Sequence, residues 1–164
     1  MMQGSKVLQW LFVFLGMAFL QTTIVQSIAI AGIVPDVVLI ALFLFSIRYG
    51  RLGGIWVGFF LGLLLDVYSS SGFGVLALAY TFAGAFLGFF EQRKLAVDPL
   101  TQVMLVFFSS ILVEGVVHFA TFGFADFTLF SIDKLMILSR AVYTAIIATL
   151  VLGIKYYVLP SRSR

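Results

Sequence analysis

Six apolar stretches occupy almost the whole 164-residue chain, at 7–30, 36–49, 52–67, 73–90, 99–121 and 133–159, and only short polar breaks separate them. A bilayer crossing needs about 20 predominantly apolar residues. The pattern therefore predicts an all-α integral membrane protein, a single six-helix bundle over 1–164. The second and third stretches are short for a crossing and leave little room for tilt. Composition argues against a soluble fold. Charged residues make up 10% of the chain and hydrophobic ones 62%, whereas soluble domains carry about 25% and about 45–50%. A soluble domain of this composition could not cover its surface.

Proline placement agrees with these breaks. Pro35 and Pro99 stand where a first helical turn would start, a position that tolerates the missing N–H. Asp98 is a natural N-cap for the fifth stretch, and Pro160 follows the sixth, where a helix should stop. With both ends of the bundle on one side, that side receives Lys6, Arg48, Arg51, Arg93, Lys94, Lys155, Arg162 and Arg164. The other side receives only Lys134. Positive charge concentrates on the cytoplasmic side of membrane proteins, so both termini and the two basic turns are expected in the cytoplasm. The opposite segments are 31–34, 68–72 and 122–132; the last, with Asp126 among several Phe residues, reads as an interfacial segment. Lys6, the first apolar run and Ala29-Ile30-Ala31 imitate a cleavable leader. The run exceeds the usual apolar core of about 7–15 residues, so it is read as a retained helix.

Cysteine is absent and there is one histidine, which excludes disulfides, thiolate metal sites, cysteine nucleophiles and multi-histidine centres. No phosphate-cradling glycine loop and no nucleophile elbow is present. The scattered basic residues are explained by orientation, so nucleic-acid binding is not expected. The chain reads as non-enzymatic and without a cofactor or a metal.

Two groups of residues stand out. Gly54, Gly58, Gly62 and Asp66 recur every four residues on the third stretch, which places them on one helix face. Small residues at that spacing let a second backbone approach closely in lipid. Gly84 and Gly88 on the fourth stretch offer a candidate partner face. The stripe therefore serves either packing between these two helices or a partner helix. Asp66 is expected either to hydrogen-bond the start of the next helix or to contact a partner. Asp36 is accounted for by the helix dipole; a dyad of Asp36 with Asp66 is the weak enzymatic alternative.

The second group is Glu114, His118 and Arg140. Glu114 lies seven residues before Thr121 and Arg140 seven after Asp133, so both lie roughly 10 Å inside the same boundary of antiparallel helices. An arginine in hydrocarbon needs a partner. A Glu114–Arg140 pair is expected, with His118 one turn away, as a lock between two helices rather than a proton relay. Gln21, Thr22, Thr23 and Gln26 form a polar band on the first stretch that either bonds a neighbouring helix or lines a cavity.

The run Gly58-Phe-Phe-Leu-Gly62-Leu-Leu-Leu-Asp66, followed by Gly74-Val-Leu-Ala-Leu-Ala-Tyr80, resembles the core signature of the MreD family of rod shape-determining proteins. Pro35-Asp36 and Arg48-Tyr49-Gly50 resemble it as well. The motifs fall within 35–88, while the topology matches over the whole chain. Glu114, His118 and Arg140 carry no part of the resemblance. It implies a multi-pass protein of the bacterial inner membrane within the cell-elongation machinery. The implied partners are MreC directly, and MreB, RodA and an elongation-specific penicillin-binding protein through the complex. It also implies a fold similar to the substrate-binding subunits of energy-coupling-factor vitamin transporters. The expected role is docking of MreC by the glycine face with Gly74, Asp66 and the aromatic segment. The alternative is a small-molecule-binding subunit of a vitamin-type transporter.

Overall fold

The computed structural model describes residues 13–17, 19–21, 23, 33–69, 72–90, 98–123 and 132–158, with backbone only at 132–134 and 155–158. The described chain is helical apart from short connections. A helical N-terminal segment covers 13–17 and 19–21. After it come α1 (Val37–Asp66), α2 (Val75–Phe89), α3 (Pro99–Phe122) and α4 (Ile132–Val158). By length and composition, α3 and residues Leu135–Ile154 of α4 can each cross a membrane, as can the 30-residue run of α1 when its length is counted whole, and α2 is a shorter apolar helix. Most of the first apolar stretch and residues 124–131 of the interfacial segment 122–132 lie outside the described residues, as do Thr22, Gln26 and most of the basic residues that oriented the chain.

Two expected helices, 36–49 and 52–67, form the single run α1, which is broken at Gly50 (φ 79°, ψ −174°). A straight helix of 30 residues would hold its ends about 45 Å apart at 1.5 Å per residue. Yet Asp36, before its start, accepts from the Tyr80 hydroxyl at 2.5 Å, and Asp66, at its end, accepts from the Ala77 N–H at 3.0 Å. Ala77 and Tyr80 are one turn apart, so α1 folds back on itself at Gly50. Only a residue free of a Cβ reaches that φ without strain. Arg48 and Arg51, both exposed, flank the turn; the two aspartates lie at the other end.

The first arm of α1 is the centre of the molecule. Val38 through Phe43, Phe45 and Ser46 are all buried, on every face of the helix, as expected of a helix that is apolar all round. The same buried core includes Phe14, Leu61, Leu65, Ala79, Tyr80, Ala83, Leu87, Leu105, Val106, Val113, Ala148 and Leu152. The outer helices bury narrow stripes only, Leu105, Val106, Ser109, Ser110 and Val113 on α3 and Ala141, Thr144, Ala148 and Leu152 on α4. Pro99 opens α3 in its first turn; Asp98 occupies the N-cap, but its side chain makes no capping bond. The cap found at α1 is Asp36, whose Oδ1 accepts from the Leu39 N–H at 2.9 Å.

Candidate functional site

The glycine stripe of α1 lies against α2, backbone on backbone. A Cβ on Gly54 would fall on the Gly84 carbonyl and on Ser46 Oγ, one on Gly58 on the Tyr80 carbonyl, and one on Gly62 on the Leu76–Ala77 peptide. At the turn, a Cβ on Gly88 would strike Gly50 and Arg51. Four-residue spacing thus seats the second arm of α1 along α2 with no side chain between them. Of the two uses expected for this stripe, the structure displays packing inside the chain. The face is filled by α2, so Gly54, Gly58 and Gly62 offer a partner helix no surface. Gly74 does not belong to the stripe. Nothing lies within 4 Å of a Cβ built there; it is the N-cap of α2, at φ 95°.

Asp66 completes the same hairpin. Its carboxylate, 4% exposed, accepts from the backbone N–H groups of Gly74 (3.0 Å), Leu76 (2.9 Å) and Ala77 (3.0 Å). Gly74 has no side chain with which to cap α2, and the first N–H groups of a helix lack intrahelical partners. The last residue of α1 therefore caps the next helix, and its negative charge sits favourably at the positive end of that helix dipole.

Around Pro35 and Asp36 a second cluster ties together every described element. Gln21 donates from Nε2 to the Pro35 carbonyl (3.0 Å) and accepts at Oε1 from the Val37 N–H (2.9 Å). The Asp36 N–H donates to Thr144 Oγ1 (3.0 Å), which donates to the Arg140 carbonyl (2.9 Å). The Tyr80 hydroxyl donates to Asp36 Oδ2. Arg140 Nε donates to the Val34 carbonyl (3.0 Å), and Nη1 lies 2.7 Å from Glu114 Oε1. The N-terminal segment, α1, α2, α3 and α4 thus meet at one short non-helical stretch. Gln21 shows the neighbour-bonding use of the first polar band. Sequence reasoning gave no role to Tyr80 or Thr144, and it took Asp36 for a residue satisfied by its own helix.

His118 makes no hydrogen bond to the pair; its ring packs on Phe122, centroids 5.0 Å apart. It still shares a cavity with Glu114 and Arg140. That cavity measures about 380 Å³ and is walled by Ile33, Val34, the 114–122 end of α3 and the 136–140 turn of α4. A second cavity of about 210 Å³, bounded by Gln21, Leu65, Tyr68 and Tyr80, shares Val34 and Arg140 with it. Among the described residues no three His, Asp or Glu side chains come together as a metal site. Asp36 and Asp66 are engaged by different donors, Tyr80 and Leu39 for the first and the start of α2 for the second, and do not form a dyad.

The arrangement suits holding helices at fixed angles, with one accessible polar pair. No curated protein and no solved structure matches the chain. The family model described as rod shape-determining protein MreD matches residues 4–159 of the 164, so the chain belongs to the MreD family and has a part in rod shape determination.

Proposed function

We propose that this protein is a six-span scaffold of the bacterial inner membrane, with both termini in the cytoplasm, that docks the transmembrane helix of MreC. It thereby fixes the position of MreC relative to MreB, RodA and the elongation-specific penicillin-binding protein, and so controls lateral wall synthesis. Family membership and the apolar helices support the setting. The exposed Arg48 and Arg51 at the turn of the hairpin support the orientation.

With the glycine stripe filled by α2, the docking surface is assigned to the outer faces of α3 and α4. The observation that carries this is burial. The most apolar window of α1 is 56% buried, whereas those of α3 and α4 are 28% and 22% buried. On α3 the outward residues Met104, Phe108, Phe119 and Phe122 are about half exposed, and Gly115 sits among them with nothing within 4 Å of a Cβ. A helix knob fits such a gap between bulky neighbours.

The chain has no cysteine of its own, so Gly115→Cys can be paired in native membranes with single cysteines along the MreC helix. Disulfides at Gly115→Cys with a helical period in MreC are expected, and none at Gly58→Cys. Cross-linking from α1 and not from α3 would move the docking site. A second reading, a small-molecule-binding subunit of a vitamin-type transporter, is favoured by the cavity beside Arg140. Stabilisation of the purified protein by a water-soluble vitamin would support it.

A further inference from the structure

The cavity beside the Glu114–Arg140 pair has a chemistry that scaffolding does not use. Pockets of about 300–1,000 Å³, mostly apolar with a few convergent polar groups, are the usual form of ligand sites, and this one measures about 380 Å³. Its polar wall is compact. Arg140 and Glu114 are held at 2.7 Å, with side chains 37% and 18% exposed. Arg140 spends Nε on Val34 and Nη1 on Glu114. Both residues of the pair also line the cavity. His118 and Thr121 complete that wall. The rest is apolar, and two residues of the wall, Phe122 and Met136, are also 52% and 56% exposed on the outer surface of α3 and α4. The mouth is thus framed by exposed apolar side chains at the end of the bundle where the interfacial segment is expected.

We propose that this cavity binds the headgroup of a zwitterionic phospholipid carrying a primary ammonium, of the phosphatidylethanolamine type. The phosphate sits against the Arg140 guanidinium, the ammonium against the Glu114 carboxylate, His118 and Thr121 Oγ1, and an acyl chain leaves between Phe122 and Met136. Charge selects the ligand. An arginine already matched by a carboxylate at 2.7 Å gives a bare anion little net attraction, because the carboxylate repels it. A group with both signs meets each pole of the pair. Three N–H donors on a primary ammonium suit the acceptors of this wall, whereas a trimethylammonium has none to give. The apolar mouth selects a lipid over a soluble zwitterion. The site requires only that α3 and α4 lie in a bilayer, and it is tested without MreC.

The full-length protein in mild detergent is titrated with dioleoyl phosphatidylethanolamine, phosphatidylcholine and phosphatidylglycerol, and with soluble glycerophosphoethanolamine, and read by native mass spectrometry. Retention of the ethanolamine lipid about tenfold tighter than the other two lipids is expected, with loss of that preference in Arg140→Gln and in Val117→Phe, which narrows the cavity. Equal retention of all three lipids would overturn the proposal, leaving only a non-specific lipid coat. Soluble glycerophosphoethanolamine bound as tightly as the lipid would overturn the lipid assignment. A second arm needs no variant: phosphatidylethanolamine with a photoreactive acyl chain should label the wild-type protein at 117–122 and 136–137. Uniform labelling of the outer faces of α3 and α4 would overturn the proposal.

Discussion

Between α1 and α2 the closest approaches are peptide against peptide, Gly54 on Gly84, Gly58 on Tyr80 and Gly62 on Ala77. α3 and α4, by contrast, are linked by side chains, through the Glu114–Arg140 ion pair beside an open cavity. In lipid there is no hydrophobic force to bring helices together, so association depends on close packing and on interhelical hydrogen bonds. The first half of this protein adds close backbone packing to its hydrogen bonds, and the second half sets its ion pair beside a cavity. Backbone packing admits one geometry, since any Cβ in the seam forces the helices apart. A side-chain link across a cavity leaves room for a guest and for rearrangement. A scaffold benefits from both, with a rigid hairpin to set the frame and an adaptable pair to meet partners and lipid.

The largest effect should come from placing a bulky group in the seam. Gly58→Leu drives a side chain into the Tyr80 carbonyl, and neither backbone can yield without parting the arms. Overpacking costs typically about 1–3 kcal/mol and occasionally more; here about 3 kcal/mol or more is expected, seen as a lower thermal midpoint in detergent. Gly115→Leu on α3, where a Cβ meets nothing, should change the midpoint by no more than about 0.5 kcal/mol. Equal loss in both variants would erase the distinction between the halves.

Asp66→Ala should come next. It strips three backbone donors of their acceptor. Unsatisfied buried donors cost about 1–3 kcal/mol, so about 2–3 kcal/mol is expected, with faster hydrogen exchange at Leu76 and Ala77 than at the middle of α2. Exchange raised evenly along the helix would show that Asp66 supports the whole hairpin and not its capped end.

A double-mutant cycle on Glu114→Gln and Arg140→Gln probes the other half. Interhelical polar contacts in membranes couple by about 1–2 kcal/mol in model peptides and less in natural bundles. A coupling of about 1–2 kcal/mol is expected, below the cost of Asp66→Ala. A larger coupling would make the ion pair, and not the glycine seam, the principal fastening of the bundle.

These differences track what was legible in the residues. The glycine seam could be read because its determinants recur every four positions on adjacent helices. Asp66 could be read because the helix it caps begins a few residues on. The Glu114–Arg140 pair followed from equal depth on antiparallel neighbours. The cluster at Asp36 could not be read. Its partners Tyr80 and Thr144 lie 44 and 108 positions away, and Asp36 already had a sufficient local role, one it does fill by capping Leu39. His118 was placed by depth, but depth does not fix a rotamer, and its ring turned to Phe122. The choice between packing and a partner for the stripe stayed open for a related reason. A small-residue face announces that a backbone will approach, not whose backbone it is.

The smallest effect expected has the opposite sign and lies inside the tight half. Ser46 is fully buried, and its Oγ has no hydrogen-bond partner among the described residues. It sits where a Cβ on Gly54 would touch it, so the fold-back of α1 demands a small residue there but not a polar one. Ser109 in a comparable helical setting donates to the carbonyl four residues before it; Ser46 does not. Removing a buried unpaired hydroxyl without leaving a large void should therefore raise stability, by about 1 kcal/mol for Ser46→Ala. A higher thermal midpoint, at unchanged MreC cross-linking from Gly115→Cys, would show that seam packing is limited by shape alone. A lower midpoint would mean that the hydroxyl is bonded in the membrane, and that the seam, like the α3–α4 pair, depends on a polar link.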